Sequence, residues 1–275
     1  MKKIIVAFDN MHYSAGAMQF VLDLHQLQPV MLTGIFLPAI DYSALWSRSA
    51  GAMAGPMFIP LAEEGEAEEI HAHIARFEQF CQEHHIRYAV HKDFFDFTLN
   101  DFQQETRFAD LLVIGSEAFY KDMGTETINV YLQDTLKHAE CPVLLVPELF
   151  EFPQTNILTY DGSDASVYAI KQFAYLFPEL CDRKTLIIYL NEDPEAVMPG
   201  EKKIKDFVCR HFNQCGYLTL HLDARKYLTT WVSEQKGGLL VSGSFSRSGI
   251  SNLFKRSFVY EAIVEHQLPV FIAHK

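Results

Sequence analysis

Two short stretches of this chain bring together residue types that suit a bound anion. After the apolar run LLVS comes GSFSRSGISNLFKRS, where Gly243 and the hydroxyls of Ser244, Ser246 and Ser248 stand beside Arg247, with Arg256 and Ser257 further on. Small residues let backbone N–H groups approach phosphate oxygens, and the guanidinium of arginine grips a phosphate in bidentate fashion. Ser244, Ser246, Arg247 and Ser248 are therefore candidates to hold a phosphate or sulfate. The second stretch is the acidic turn Asp161-Gly162-Ser163 after NILTY. Both have a purely structural use as well: Asp and Ser cap helix starts, and glycine permits a tight strand-to-helix turn.

Nothing beside these residues supports catalysis. SFSRSGIS lacks the G-x-S-x-G nucleophile pattern, and no histidine sits at a motif position next to it. His71, His73, His84, His85 and His91 invite a metal reading. Helix positions two apart point to different faces, and no Cys or carboxylate accompanies them at ligand spacing, so they read as solvated helix histidines. Cys209 and Cys215, six apart around an expected helix end, suit packing better than zinc.

The elements that position these residues occur twice. IIVAFDN, LLVIGSEAFYKDMG and CPVLLVP return in the same order as NILTYDGS, LLVSGSFSRSGISNLFKRS and LPVFIAHK. Asp9 matches Asp161 at an offset of 152, Gly115 matches Gly243 at 128, and Pro142 matches Pro269 at 127. A repeat of this length is a whole domain. The boundaries fall at residues 1–150 and 151–275, with PELFEFPQTN, Pro147 to Asn156, as the linker. The offsets leave about 24 surplus residues in the first copy, and Asp41 to Pro60 has no counterpart in the second. That segment reads either as a mobile flap over the first copy's cleft or as a packed extension.

Each copy alternates apolar runs with helix-periodic segments. VMLTGIFL and TLIIYL are near-continuous apolar runs, as in strands covered on both faces of a parallel sheet. The first helix of each copy places its apolar residues three and four apart, at Ala17, Met18, Val21 and Leu22 and at Ala169, Ile170, Phe173 and Ala174. An acidic helix follows in the first copy, AEEGEAEEIHAHIARFEQFCQEHH, and KKIKDFVCRHFNQCG in the second, with Gly216 as its expected C-cap. IRYAVHK and LTLHLDA are the third strands, LLVIG and LLVSG the fourth, PVLLV and PVFIA the fifth. Such alternation predicts two doubly wound α/β domains, in which ligands bind beyond the carboxyl ends of the strands.

Composition sets outer limits. The 23 Lys and Arg against 35 Asp and Glu leave a net charge of −12, the opposite of what a nucleic-acid surface needs. No apolar stretch approaches the roughly 18 residues of a membrane span. Five cysteines without a close CxxC pair point to reduced thiols and a cytoplasmic location.

Taken in order and repeated, DGS after the first strand, GSFSRSGISNLFKRS after the fourth and a fifth strand introduced by Pro269 resemble the universal stress protein family over essentially the whole chain. The resemblance implies two tandem Rossmann-like three-layer α/β/α domains paired through their fifth strands, PVLLVP and PVFIAH, as an intramolecular pseudo-dimer. It also implies a stress-response binding or regulatory role without catalysis. ATP-binding members share a glycine loop G-x2-G-x9-G-[ST] and an acidic residue by the adenine and ribose. By that pattern Gly243 is the first glycine, Ser257 the closing hydroxyl and Asp161 the acidic residue. Ser246 stands in place of the second glycine and Arg256 in place of the third, adding bulk where the phosphates would run or an anion ligand of its own.

The first copy departs further. Gly115 is kept, but Ala118 replaces the second glycine, Ile128 and Asn129 replace the third and its hydroxyl, and Glu117 adds negative charge. Asn10 and Met11 replace the Gly-Ser after Asp9, which is retained for turn and cap geometry. Three functional readings follow. One is a non-catalytic interaction module with a degenerate adenine-nucleotide site and an unnamed protein partner. A second is an ATP or AMP sensor using the C-terminal copy. The third is an adenine-nucleotide hydrolase or transferase. An intramolecular pair excludes neither a further homodimer nor a small-molecule ligand.

Overall fold

The opening strand shows why the sheet must lie inside. Every side chain from Ile4 to Phe8 is buried. Ile4, Val6 and Phe8 share one core with Ala17 and Val21, while Ile5 and Ala7, on the opposite face, are buried as completely. Successive strand side chains alternate, so a run with no exposed member requires cover on both faces.

The computed structural model describes residues 1–9, 12–37, 64–91, 99–117, 138–191, 195, 197–221, 237–243 and 268–273. In the first half these form β1 (Lys2–Asp9), α1 (Ala15–Leu27), β2 (Val30–Leu37), α2 (Glu64–Glu83), β3 (Arg87–Val90), α3 (Leu99–Arg107), β4 (Leu111–Gly115) and β5 (Val143–Val146). In the second half they form β6 (Thr155–Tyr160), α4 (Asp164–Leu176), β7 (Lys184–Asn191), α5 (Glu201–His211), β8 (Gln214–His221), β9 (Gly238–Ser242) and β10 (Val270–Ile272). Among the described residues no helix is long and apolar enough to cross a membrane.

All ten strands join one sheet in the order β3-β2-β1-β4-β5-β10-β9-β6-β7-β8. Within each half every pairing is parallel, and the halves meet where β5 runs antiparallel to β10. At this joint Val143 faces Ile272, Leu144 faces Phe271 and Leu145 faces Val270. An offset of 127 carries Leu144 onto Phe271, so the pair at the centre of the joint is its own counterpart. Two-fold-related strands pair in this self-complementary way.

Strand register fixes the correspondence of the two halves. Ile4 pairs with Leu111 and Asn156 with Leu239, which gives offsets of 152 and 128. Leu32 lies between Ile4 and Tyr88, and Thr185 between Asn156 and Cys215, which gives 153 and 127. The first half's surplus is thus 153 less 127, or 26 residues, between β2 and β3. Asp41 to Pro60 belongs to that connection and lies outside the described residues.

The first helices correspond differently. Ser14 and Ser163 are their N-caps, each hydroxyl accepting a backbone N–H, from Ala17 and Ser166, at 3.1 Å. That offset is 149, and it also superposes Phe20, Val21 and Leu24 on Ala169, Ile170 and Phe173, all buried. The strand offset of 152 instead puts Leu22, which is only partly buried, on the core face in place of Phe20 and Leu24. Four residues part Asp9 from Ser14, whereas one parts Asp161 from Ser163. A three-residue shift nearly preserves helical periodicity and so leaves little trace in the pattern.

Two further expectations are corrected. Helix α5 ends at His211, where the extended Phe212 (φ −122°, ψ 130°) stops it, and Gly216 sits inside β8 opposite Leu186 rather than capping a helix. The expected linker is only partly a linker. Phe150 and Phe152 lie against Phe20 with ring centroids 5.4 and 5.3 Å away, Pro153 is buried, and Asn156 is a core residue of β6. Asn156 donates from Nδ2 to the Leu180 carbonyl (2.8 Å) and to Thr185 Oγ1 (3.0 Å).

Helix α2 buries Ile70, Ile74, Phe77 and Cys81 along one stripe and ends before His84 and His85. Ile86 N–H donates to the Cys81 carbonyl (2.8 Å) and His85 N–H to that of Gln82 (3.2 Å), closing the turn with His85 at φ 57°. That left-handed position favours glycine, because a Cβ crowds the backbone there. His85→Gly is expected to stabilise the protein by about 1 kcal/mol, read as a higher denaturant midpoint with unchanged slope.

Candidate functional site

In both halves the strand order turns at the first and fourth strands, the point where ligands bind in open α/β sheets. Asp161 follows β6 directly and Gly243 follows β9 directly. Their strands are paired, Leu158 opposite Val241, and Thr159 Oγ1 donates to the Val241 carbonyl (2.9 Å). The fold therefore brings together these two residues, 82 apart in sequence.

Gly243 is pressed against the start of α4. A Cβ at this position would lie 2.1 Å from the Ala165 carbonyl oxygen and 2.7 Å from Ser166 N. Backbone leaves no room for a side chain, so glycine is imposed by helix–strand packing whatever occupies the crevice.

Asp161 is likewise committed to its own turn. Its Oδ1 accepts from Ser163 N–H at 2.9 Å, while Ser163 caps α4. Gly162 adopts φ 86°, with Pro199 packed where a Cβ would be, and Tyr160 donates its hydroxyl to the Pro199 carbonyl (2.5 Å). Desolvation pushes the Asp161 carboxyl upward, but hydrogen bonds from Ser163 and Ser166 outweigh it and hold the group below its usual range. Ser244, Ser246, Arg247, Ser248, Arg256 and Ser257 lie outside the described residues.

The first half presents a different picture at the equivalent place. Glu117, two residues beyond β4, accepts the N–H of Glu148 at 2.7 Å and the Ser116 hydroxyl at 3.4 Å. Glu148 in turn accepts Gly16 N–H at 2.9 Å. With Ser14 holding Ala17 N–H, the free donors at residues 16 and 17 of α1 are both taken by the chain itself. A carboxylate at a helix N-terminus is stabilised by the partial positive charge there, as a phosphate would be. Gly16 meets this segment as tightly as Gly243 meets α4: a Cβ would lie 2.2 Å from the Pro147 carbonyl oxygen.

In the sequence Glu117 stands out by its charge, whereas Glu148 falls in the expected linker. A signal existed: the fifth-strand offset of 127 aligns Glu148 with Lys275, and the fourth-strand offset of 128 aligns Glu117 with Phe245. Asp9 ends β1, while Asn10, Met11, Ala118, Ile128 and Asn129 lie outside the described residues.

The histidines do not converge. His71 is exposed, His73 lies against Tyr13, His84 lies against Phe80 with the rings tilted by 55°, and His91 Nε2 is 3.7 Å from Glu105. Among the described residues no three His, Cys, Asp or Glu side chains cluster as a metal site.

No protein-family model matches the chain, and no curated protein matches it by sequence. Solved structures do match. A universal stress protein from Archaeoglobus fulgidus DSM 4304 aligns over 100% of this chain and 96% of its own, with a TM-score of 0.69 at 11% identity. A protein of unknown function from Pseudomonas aeruginosa PAO1 aligns over 100% and 92%, with a TM-score of 0.53 at 12% identity. The described residues have the fold of a universal stress protein.

Two outcomes follow from the geometry. Gly243→Ala is expected to cost about 1–3 kcal/mol by overpacking, measured by unfolding without any nucleotide. A variant as stable as the parent would instead tie the glycine to ligand approach. Because the Asp161 pKa is depressed by folding, its contribution is present above the unfolded value and lost as pH falls through the folded one. The stability gap between the parent and Asp161→Asn should therefore hold at neutral pH and close in acid below the ordinary carboxylate range.

Proposed function

We propose that this chain is a universal stress protein-like binding and regulatory module without catalytic activity, in which only the C-terminal half is open to an anionic ligand. Residues 1–150 and 151–275 are its two domains, and the β5–β10 joint takes the place of a dimer contact. The observation that carries the reading is Glu148. Its carboxylate sits on Gly16 N–H at the start of α1, an internal anion where an external one would need to go.

Charge favours the second half. Glu117 and Glu148 are replaced at the equivalent sequence positions by Phe245 and Lys275, so two negative charges give way to one positive. A second reading, an ATP or AMP sensor, draws on this change and on Asp161, Gly243 and Ser257 in register. Against tight nucleotide binding stand Ser246 and Arg256 at the positions of two loop glycines, and the structural duties of Asp161 and Gly243. Five cysteines without a close CxxC pair in the sequence support a reducing, cytoplasmic setting.

Titration calorimetry with ATP and AMP separates the two readings. The parent should bind more weakly than about 1 mM, and Ser246→Gly combined with Arg256→Gly should tighten ATP binding at least about tenfold. Micromolar binding by the parent would establish the sensor and overturn the degenerate site. Gly243 is unsuitable as a control, because any side chain there meets the Ala165 backbone.

A further inference from the structure

Helix α5 and strand β8 bring two thiols to one place at the edge of the sheet. Cys209, in the last turn of α5, is exposed, and its Sγ is 3.4 Å from the Tyr217 hydroxyl. Cys215 and Tyr217 are two apart on β8 and so share a face. From that face the Cys215 Sγ reaches the Phe212 carbonyl at 3.2 Å and the Val208 carbonyl at 4.0 Å. Val208 is bonded to Cys209, so both sulfurs lie against one helix end.

The pair differs from the other cysteines. Cys81, Cys141 and Cys181 are buried, and burial raises each thiol to about 12. Cys215 is only half-buried and reaches about 11, first through burial and then through its interaction with Cys209. One thiol is open to an oxidant, a second is in reach behind it, and three are sealed away.

We propose that Cys209 and Cys215 form a redox-responsive dithiol that closes to an intramolecular disulfide when a hydroperoxide oxidises Cys209. The Cys209 thiolate attacks a peroxide oxygen, the O–O bond breaks, and water leaves after protonation. The resulting sulfenic acid is attacked by the Cys215 sulfur, forming the S–S bond as the S–O bond breaks and a second water departs. With hydrogen peroxide, two thiols and one peroxide become one disulfide and two waters. The bond ties the end of α5 to the edge strand and withdraws Cys209 from Tyr217.

Mass spectrometry of the full chain tests this directly. Reduced protein is treated with hydrogen peroxide and alkylated without reductant. The parent should lose about 2 Da and two alkylatable thiols, with a Cys209–Cys215 crosslink on peptide mapping that dithiothreitol reverses. Cys209→Ser and Cys215→Ser should each abolish the crosslink. Stable oxygen adducts at Cys209, disulfides only between chains, or a crosslink to another cysteine would overturn the proposal. The parent's map decides even if a variant folds poorly.

Discussion

The described strands of this molecule are arranged around the antiparallel pairing of β5 with β10. Each half is an open parallel sheet of five strands, and such a sheet has an edge of unpaired backbone donors and acceptors beside its last strand. Joining those two edges satisfies both at once. It also explains the apolar character of the strands involved: Val143 to Val146 and Val270 to Ile272 are all buried, as interior strands with cover on both faces must be. The Leu144–Phe271 pair then sets the relation of one crevice to the other, because each fourth strand is registered on its fifth.

On that symmetric frame the two halves differ at the starts of their first helices. Both halves have a serine N-cap and a close backbone approach to the helix start, made at Gly16 of the helix itself in the first half and by Gly243 of the segment after the fourth strand in the second. In the first half the approaching segment carries Glu148 and stays in place through Glu117. The scaffold tolerates this because a helix start accepts a carboxylate from its own chain as readily as a ligand's phosphate.

The sequence made the strands legible and the connections much less so. Apolar runs and the three motif offsets are reproduced by backbone register, because a parallel strand buried on both faces has little freedom to slip. The helix correspondence was displaced by three residues, since helical periodicity barely distinguishes that shift and the β1–α1 loop length is not written in any pattern. Glycine after an amphipathic run usually marks a cap, yet here the helix stops at His211, before Gly216 is reached. His85 shows the converse, a left-handed residue with no glycine to announce it. Asp161 and Gly243 stand out in the sequence by type and spacing, whereas Glu148 acts across 132 residues on Gly16 and only the fold reveals it.

The segment from Pro147 to Phe152 has a consequence beyond packing. Because Phe150 and Phe152 rest on Phe20, the second half starts from a point anchored on the first. Strand β10 therefore meets β5 as a tethered partner at high effective concentration, not as a free one. A two-chain assembly with the same joint would come apart on dilution, whereas here the ten-stranded sheet persists at any protein concentration. Its two crevices are thereby held in a fixed ratio of one to one.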